Sequence, residues 1–270
     1  MQDLYFRDKV VAVTGGSDGI GLALVEALLA KGAKVATCAR NADKLQTLQQ
    51  RHSDAPLLCM TADLSQPEGC RHFIEAAIRQ FGSIDILINN AGISMRALFK
   101  EADPEVIKKL MDINFFGAVY CSKYALPALI DRKGTIVGIS SIAGYRGLPG
   151  RSGYSASKFA LNGWLEAVRT ELSADGVHVM WVSPGFTRSN IRHTALDGQA
   201  GAQGESPLDE EKLMSAEECA DRILEAIRKK KRTLVMTGQG KQTVLLNKLF
   251  PAWTDRLIRN FFFRDGKLIK

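Results

Sequence analysis

The sequence predicts an α/β protein: a doubly wound, seven-stranded, mostly parallel sheet with helices on both faces. Three observations predict it. Short β-branched runs alternate with longer amphipathic stretches along most of the 270 residues. Most of these runs are continuously apolar, as strands covered on both faces require. The first of them ends in a glycine-rich turn that opens directly into a helical pattern.

In chain order the expected strands are residues 9–14, 33–39, 57–62, 84–89, 134–140, 177–183 and 233–237. Helical patterns fall between them, for example 20–31, stopped by Gly32, and 69–80, stopped near Gly82. Crossovers of this length form βαβ units, and the expected strand order is 3-2-1-4-5-6 with 233–237 as a seventh. No repeat or long linker divides residues 1–270, so a single domain is expected. The least regular stretch, 194–208, holds Gly198, Gly201, Gly204 and Pro207 and reads as mobile. Residues 188–215 around it are expected to be a substrate loop or lid.

Composition removes several classes. The chain is 46% hydrophobic and 24% charged, enough to bury a full core. Its five cysteines form no C-x-x-C pair and its four histidines have no ligand spacing, so neither a disulfide framework nor a metal site is expected. A reducing cytoplasm fits this usage. The start lacks a basic segment followed by an apolar one, and no apolar run approaches the roughly 20 residues of a spanning helix. The net charge of +7 is uneven: residues 222–270 carry +10 and the rest −3.

The turn after the first strand reads Thr14-Gly15-Gly16-Ser17-Asp18-Gly19-Ile20-Gly21. Glycine removes the Cβ that blocks close approach of a pyrophosphate, and free N–H groups at the following helix start hold the anion. Strand before and helix after is the confirming context for a Rossmann-type dinucleotide site. At the end of the second strand, where an NAD site places an acid for the ribose 2′-OH, stand Ala39 and Arg40. A guanidinium there suits a 2′-phosphate, so NADP(H) is favoured over NAD(H). Asp18 argues the other way.

Further on stands Tyr154-Ser155-Ala156-Ser157-Lys158. On a helix, positions i and i+4 share a face, so phenol and ammonium project together. A phenol titrates near pH 10; lowering it by about three units takes roughly 4 kcal/mol. One Lys⁺ with the positive ring of an oxidised nicotinamide is of that order in a dry site. Ser140-Ser141 ends a central strand, where ligands of open sheets collect, and Asn114 fits either a water connecting Lys158 to solvent or a helix-capping or packing residue.

Taken together these residues resemble the short-chain dehydrogenase/reductase superfamily from about residue 9 to residue 237. The motifs are Thr14-Gly15-x-x-x-Gly19-x-Gly21, Asp63, Asn89-Asn90-Ala91-Gly92, Asn114, Ser141, Tyr154-x-x-x-Lys158 and Pro184-Gly185-Phe186-Thr187. The resemblance implies a ketone/alcohol oxidoreductase with Tyr154 as general acid or base, Lys158 lowering its pKa and binding the nicotinamide ribose, Ser141 orienting the carbonyl and Asn114 keeping the relay water. It implies cofactor contacts from Gly15, Ser17, Asp18, Gly19, Ile20, Gly21, Arg40, Asp63, Leu64, Asn90, Ala91, Gly92, Pro184, Gly185 and Thr187, besides Tyr154 and Lys158. Within the superfamily, Ala39-Arg40 and Tyr-Ser-Ala-Ser-Lys-Phe look most like the branch containing 11β-hydroxysteroid dehydrogenase type 1 and 3-ketodihydrosphingosine reductase. That branch implies a bulky lipophilic carbonyl substrate, and relatives that form dimers or tetramers imply a homo-oligomer. Many NADP-preferring members carry a basic residue where this chain has Asp18.

The expected substrate wall comprises Ser141, Tyr145, Leu148, Pro149, Tyr154, Phe186 and Ile191, with Arg146, Arg151 and Arg188 near its mouth. Residues 238–270 form a basic extension in which a helix over 253–264 lines up Trp253, Leu257 and Phe261 opposite Arg256 and Arg259. This pattern fits peripheral contact with a membrane, and equally a helix packed on the body or on another subunit. No module accompanies the charge that would bind nucleic acid. A non-catalytic NADP(H)-binding sensor or scaffold is the rival to the enzyme, and an intact Ser141, Tyr154 and Lys158 speaks against it.

Overall fold

The computed structural model describes residues 4–269. Seven strands form one parallel sheet: β1 (Val10–Thr14), β2 (Lys34–Ala39), β3 (Leu57–Thr61), β4 (Ile86–Asn89), β5 (Thr135–Ile139), β6 (His178–Ser183) and β7 (Thr233–Val235). Their order is β3-β2-β1-β4-β5-β6-β7, as expected from the sequence. After β3 the chain crosses back to place β4 beside β1, with Val13 opposite Ile88. The crevice at this reversal opens at the carboxyl ends of β1 and β4, where ligands of such sheets bind.

Helices α1 (Gly19–Ala30), α2 (Ala42–Arg51), α3 (Pro67–Phe81), α4 (Pro104–Met111), α5 (Gly117–Asp131), α6 (Ser152–Glu171) and α7 (Ala216–Arg228) flank the sheet. On one face Leu24, Val25 and Leu28 of α1 meet Ile223, Leu224 and Ile227 of α7 over Val11, Val13 and Ile88. On the other, α3 and α5 cover Ala12, Leu87 and Ile136 with Phe73, Ile74 and Leu129. Each such side chain contributes roughly 1.5–3 kcal/mol by leaving water. All residues of β1, β4 and β5 are buried, which explains their unbroken apolar runs.

Between α4 and α5 the backbone widens into one π-helical turn, Asp112–Phe116, which carries Asn114. After β7 come α8 (Gly238–Leu249), α9 (Pro251–Phe262) and a two-stranded hairpin, β8 (Phe263–Arg264) with β9 (Lys267–Leu268). The helix expected over 253–264 therefore starts earlier and ends at Phe262, where the chain turns extended and Ile269 donates its N–H to the Phe262 carbonyl (2.8 Å).

The stretch 194–208, expected to be mobile, is irregular but pinned. Leu196 bridges to both Met95 and Ala202, Thr187 bridges to Met214, and Ala195 and Leu196 are buried. Three glycines deny it a regular period without leaving it unattached. No helix among the described residues is long and apolar enough to cross a membrane.

Candidate active site

The glycine turn is held from both sides. The Gly15 N–H donates to the Cys38 carbonyl (2.8 Å), and the Asn90 side chain donates to the carbonyls of Thr14 (2.9 Å) and Gly15 (3.2 Å). Thr14 Oγ1 accepts from the backbone N–H groups of Asn90 and Ala91, both at 3.0 Å. Gly15 adopts φ +72°, and a Cβ on Gly21 would collide with the Gly15 carbonyl oxygen, so the turn tolerates no side chain at either place. Asn90 thus braces the turn besides lining the channel.

The turn opens onto a cavity of about 1200 Å³. Every residue expected around a cofactor lines it, from Gly15 to Thr187, together with Ser141, Tyr154 and Lys158. A volume above the usual 300–1,000 Å³ of a small-ligand pocket leaves room for a dinucleotide and a substrate. The residues fit a nicotinamide dinucleotide: a turn with Gly15, Gly16, Gly19 and Gly21 meets the start of α1.

Asp18 sits differently from its sequence reading. It pairs with Lys44 on the first turn of α2, and Lys44 lines the cavity beside Arg40 and Asn41. Spacing alone did not single out Lys44. It neutralises the acid that argued against a 2′-phosphate.

At the far end of the cavity, Lys158 is buried and its Nζ donates to the Ile139 carbonyl (2.8 Å). Burial lowers its pKa to about 8. Its Nζ lies 5.7 Å from the centre of the Tyr154 ring. Desolvation raises the Tyr154 phenol above its ordinary value, opposed by a hydrogen bond with Ser141 and by the charges of Arg151 and Arg192. With the protein's own groups alone, then, Tyr154 is a protonated donor. Ser141 Oγ also accepts from the Ala143 N–H (3.1 Å), capping the short turn that follows β5.

The Asn114 side chain is held by neighbours on two elements. Its Nδ2 donates to Ile93 O and Ser157 Oγ (both 2.9 Å), and Oδ1 accepts from the Ile93 N–H (2.8 Å). The side chain joins the loop after β4 to α6 and so positions Ile93 and Ser157.

Leu148, Phe186 and Ile191 line the substrate end, but Tyr145 does not. Its hydroxyl accepts from the buried Trp181 Nε1 (2.8 Å), because an indole N–H inside the sheet needs a partner. Arg146, expected at the mouth, instead bonds Asn247 (2.9 Å) and pairs with Asp255. Arg188 does not line this cavity. Arg192, which sequence reading passed over, is buried and bonds both carboxylate oxygens of Glu210 (2.6 and 2.7 Å) and the Thr187 carbonyl (2.6 Å). It ties residues 188–215 to the loop after β6.

The extension does two things at once. Leu257, Ile258, Phe261 and Phe262 of α9 close one side of the cavity. Leu245, Leu249, Phe250 and Trp253 are each more than half exposed on α8 and α9. The apolar stripe of the expected helix is thus divided between the interior and the surface.

A family model described as short chain dehydrogenase matches residues 9–200. Dehydrogenase/reductase SDR family member 7B of Mus musculus is 35% identical over 86% of this chain and 74% of its own length. 11-beta-hydroxysteroid dehydrogenase A of Arachis hypogaea is 34% identical over 93% and 75%. Among solved structures, a short-chain dehydrogenase from Burkholderia cenocepacia in complex with NADP superposes with TM-score 0.78, at 26% identity, over 95% of this chain and 99% of its own. A Burkholderia phymatum relative in complex with NAD gives 0.82 at 20% identity, over 90% and 94%, a likeness of fold. A glycine cradle at the sheet's switch point, a tyrosine and lysine one helical turn apart and these matches lead to one conclusion: the chain belongs to the short-chain dehydrogenase/reductase family of oxidoreductases.

Proposed function

We propose that this protein is an NADP(H)-dependent reductase of a lipophilic ketone, interconverting it with the secondary alcohol. The observation that carries the reading is the convergence of Tyr154, Lys158 and Ser141 on one cavity directly beyond the glycine turn. NADPH, when bound, supplies the hydride. Gly15 to Gly21 would hold its pyrophosphate, Arg40 and Lys44 its 2′-phosphate, and Pro184 to Thr187 its nicotinamide end. Ser141 holds the carbonyl oxygen and the Tyr154 hydroxyl donates its proton to that oxygen. The Lys158 ammonium stabilises the phenolate that remains. Phe186, Ile191, Leu257 and Phe261 exclude water and favour an apolar substrate.

For its location we propose the cytoplasm, with peripheral contact to a membrane through the outer face of α8 and α9. Lys241, Lys248 and Arg256 flank exposed Leu249, Phe250 and Trp253, which suits an anionic lipid surface. Exposed Phe116 and Phe159 support self-association as a dimer or tetramer.

The test is NADPH consumption on a panel of lipophilic ketones, with NADH and Tyr154→Phe beside it. Turnover that needs NADPH and falls at least about a thousand-fold in the variant is expected. Coenzyme binding without turnover of any ketone or matching alcohol would refute the reading. Trp253→Ser should weaken sedimentation with anionic vesicles; a protein that stays wholly in the supernatant at low salt refutes the membrane contact.

A further inference from the structure

Near Tyr154 the cavity holds more positive charge than its acids balance. Arg151 caps the start of α6 three residues before the tyrosine and lines the cavity with Leu148 and Ile191. Its guanidinium makes no ion pair and no hydrogen bond among the described residues, and its Nε is enclosed without a partner. The two neighbouring guanidinium groups differ: Arg192 is held by Glu210, and Arg96 lies 3.5 Å from Glu205. The acids that line the cavity, Asp18 and Asp63, belong to the glycine turn and the segment after β3, at the other end. Besides Lys158, Arg151 is therefore a cation of the substrate end that no acid balances, and its half-buried guanidinium, with Nε enclosed, favours an anion opposite it.

We infer that Arg151 binds a carboxylate on the substrate, so that the substrate class is an oxo acid, or the matching hydroxy acid, with an apolar body. This deepens the reductase reading and rests on it. One planar guanidinium matches one carboxylate through two parallel hydrogen bonds, and with Arg192 and Arg96 already facing Glu210 and Glu205, Arg151 is left as the guanidinium for a single carboxylate. The bound anion also offsets a charge that pulls the Tyr154 phenol down, which keeps the phenol protonated until the carbonyl oxygen draws the proton away. The carboxylate itself is unchanged by the reaction.

The test separates binding from chemistry. Octanoate and octanamide are titrated into the NADP⁺-loaded protein by calorimetry, and oxo acids are compared with their methyl esters in NADPH turnover. The wild type should prefer octanoate by at least about ten-fold, Arg151→Leu should bring the two ligands to parity, and Arg151→Lys should keep part of the preference. NADP⁺ titration of each variant reports folding. Equal binding of both probes by the wild type, or a preference that survives in Arg151→Leu, overturns the inference. Reduction of ketones with no preference for acids overturns it and leaves the reductase reading intact. An Arg151-dependent octanoate preference without reduction of any oxo compound upholds the anion site and removes the reductase reading.

Discussion

Glu210→Gln tests whether residues 188–215 are held shut by one ion pair. Arg192 is 8% exposed and grips Glu210 through two hydrogen bonds of 2.6 and 2.7 Å, with a third to the Thr187 carbonyl. The Arg192 guanidinium and a hydrogen bond from Ser206 hold the Glu210 carboxyl at about 2, against 4.5 ordinarily. That depression corresponds to an upper bound of roughly 3 kcal/mol. The glutamate side chain is 23% exposed, so solvent screening reduces it to about 2 kcal/mol. Glutamine keeps the shape and one acceptor but loses the charge. If the loop opens as a unit, amide exchange across 188–215 should accelerate about 30-fold at neutral pH, with the sheet core unaffected. The sign with pH is determined by the lowered carboxyl: the contribution is complete above about pH 4.5 and is lost as pH falls towards 2. The gap between wild type and variant should therefore shrink to less than half by about pH 3. Equal exchange at pH 7, or a gap that does not narrow in acid, would sink the reasoning.

Lys44→Met leaves Asp18 unpaired beside the 2′-phosphate position, so NADPH affinity measured by fluorescence titration should fall at least about ten-fold while NADH affinity changes little; a fall equal for both coenzymes would mean that Lys44 serves only the fold. Tyr145→Phe strips the Trp181 indole N–H of its acceptor and should cost about 1–3 kcal/mol in urea unfolding without changing which ketones react. A changed substrate profile would return Tyr145 to the pocket wall. Lys158 has its folded pKa lowered to about 8 from 10.5, so between those values the unfolded chain holds a proton the folded chain has released. Wild-type stability should thus rise relative to Lys158→Met from pH 8 to 10.5, by about 3 kcal/mol at most; a flat difference across that range would show the ammonium to be better solvated than its burial suggests.

The strands were legible because they are buried on both faces: Val10–Thr14 and Ile86–Asn89 carry an apolar run that no surface segment would keep. The glycine turn and the tyrosine–lysine pair were legible because backbone conformation and helical spacing place those side chains within a few residues of one another. What escaped the sequence depends on long-range partners. Nothing local says that Tyr145 turns to Trp181, that Arg146 reaches Asn247 across 101 residues, or that Asp18 finds Lys44. The division of the α9 stripe between cavity and surface has the same origin, since period alone shows an apolar face but not what covers it.

Without coenzyme, the charges and burial of the site decide which protonation states Tyr154 and Lys158 hold. A phenol raised in pKa by desolvation stays protonated at neutral pH but gives its proton up less readily, and a lysine lowered to about 8 remains largely ammonium there. Reduction needs just this pairing before the step: a proton on Tyr154 to give and a charge on Lys158 to stabilise the phenolate left behind. Oxidation needs the tyrosine deprotonated at the outset, which the positive ring of NADP⁺ would have to supply against burial. Arg151 bears on the same balance. Empty, its charge pulls the phenol down; paired with a carboxylate, as inferred above, it would cease to do so, and the phenol would hold its proton until the carbonyl oxygen draws it away.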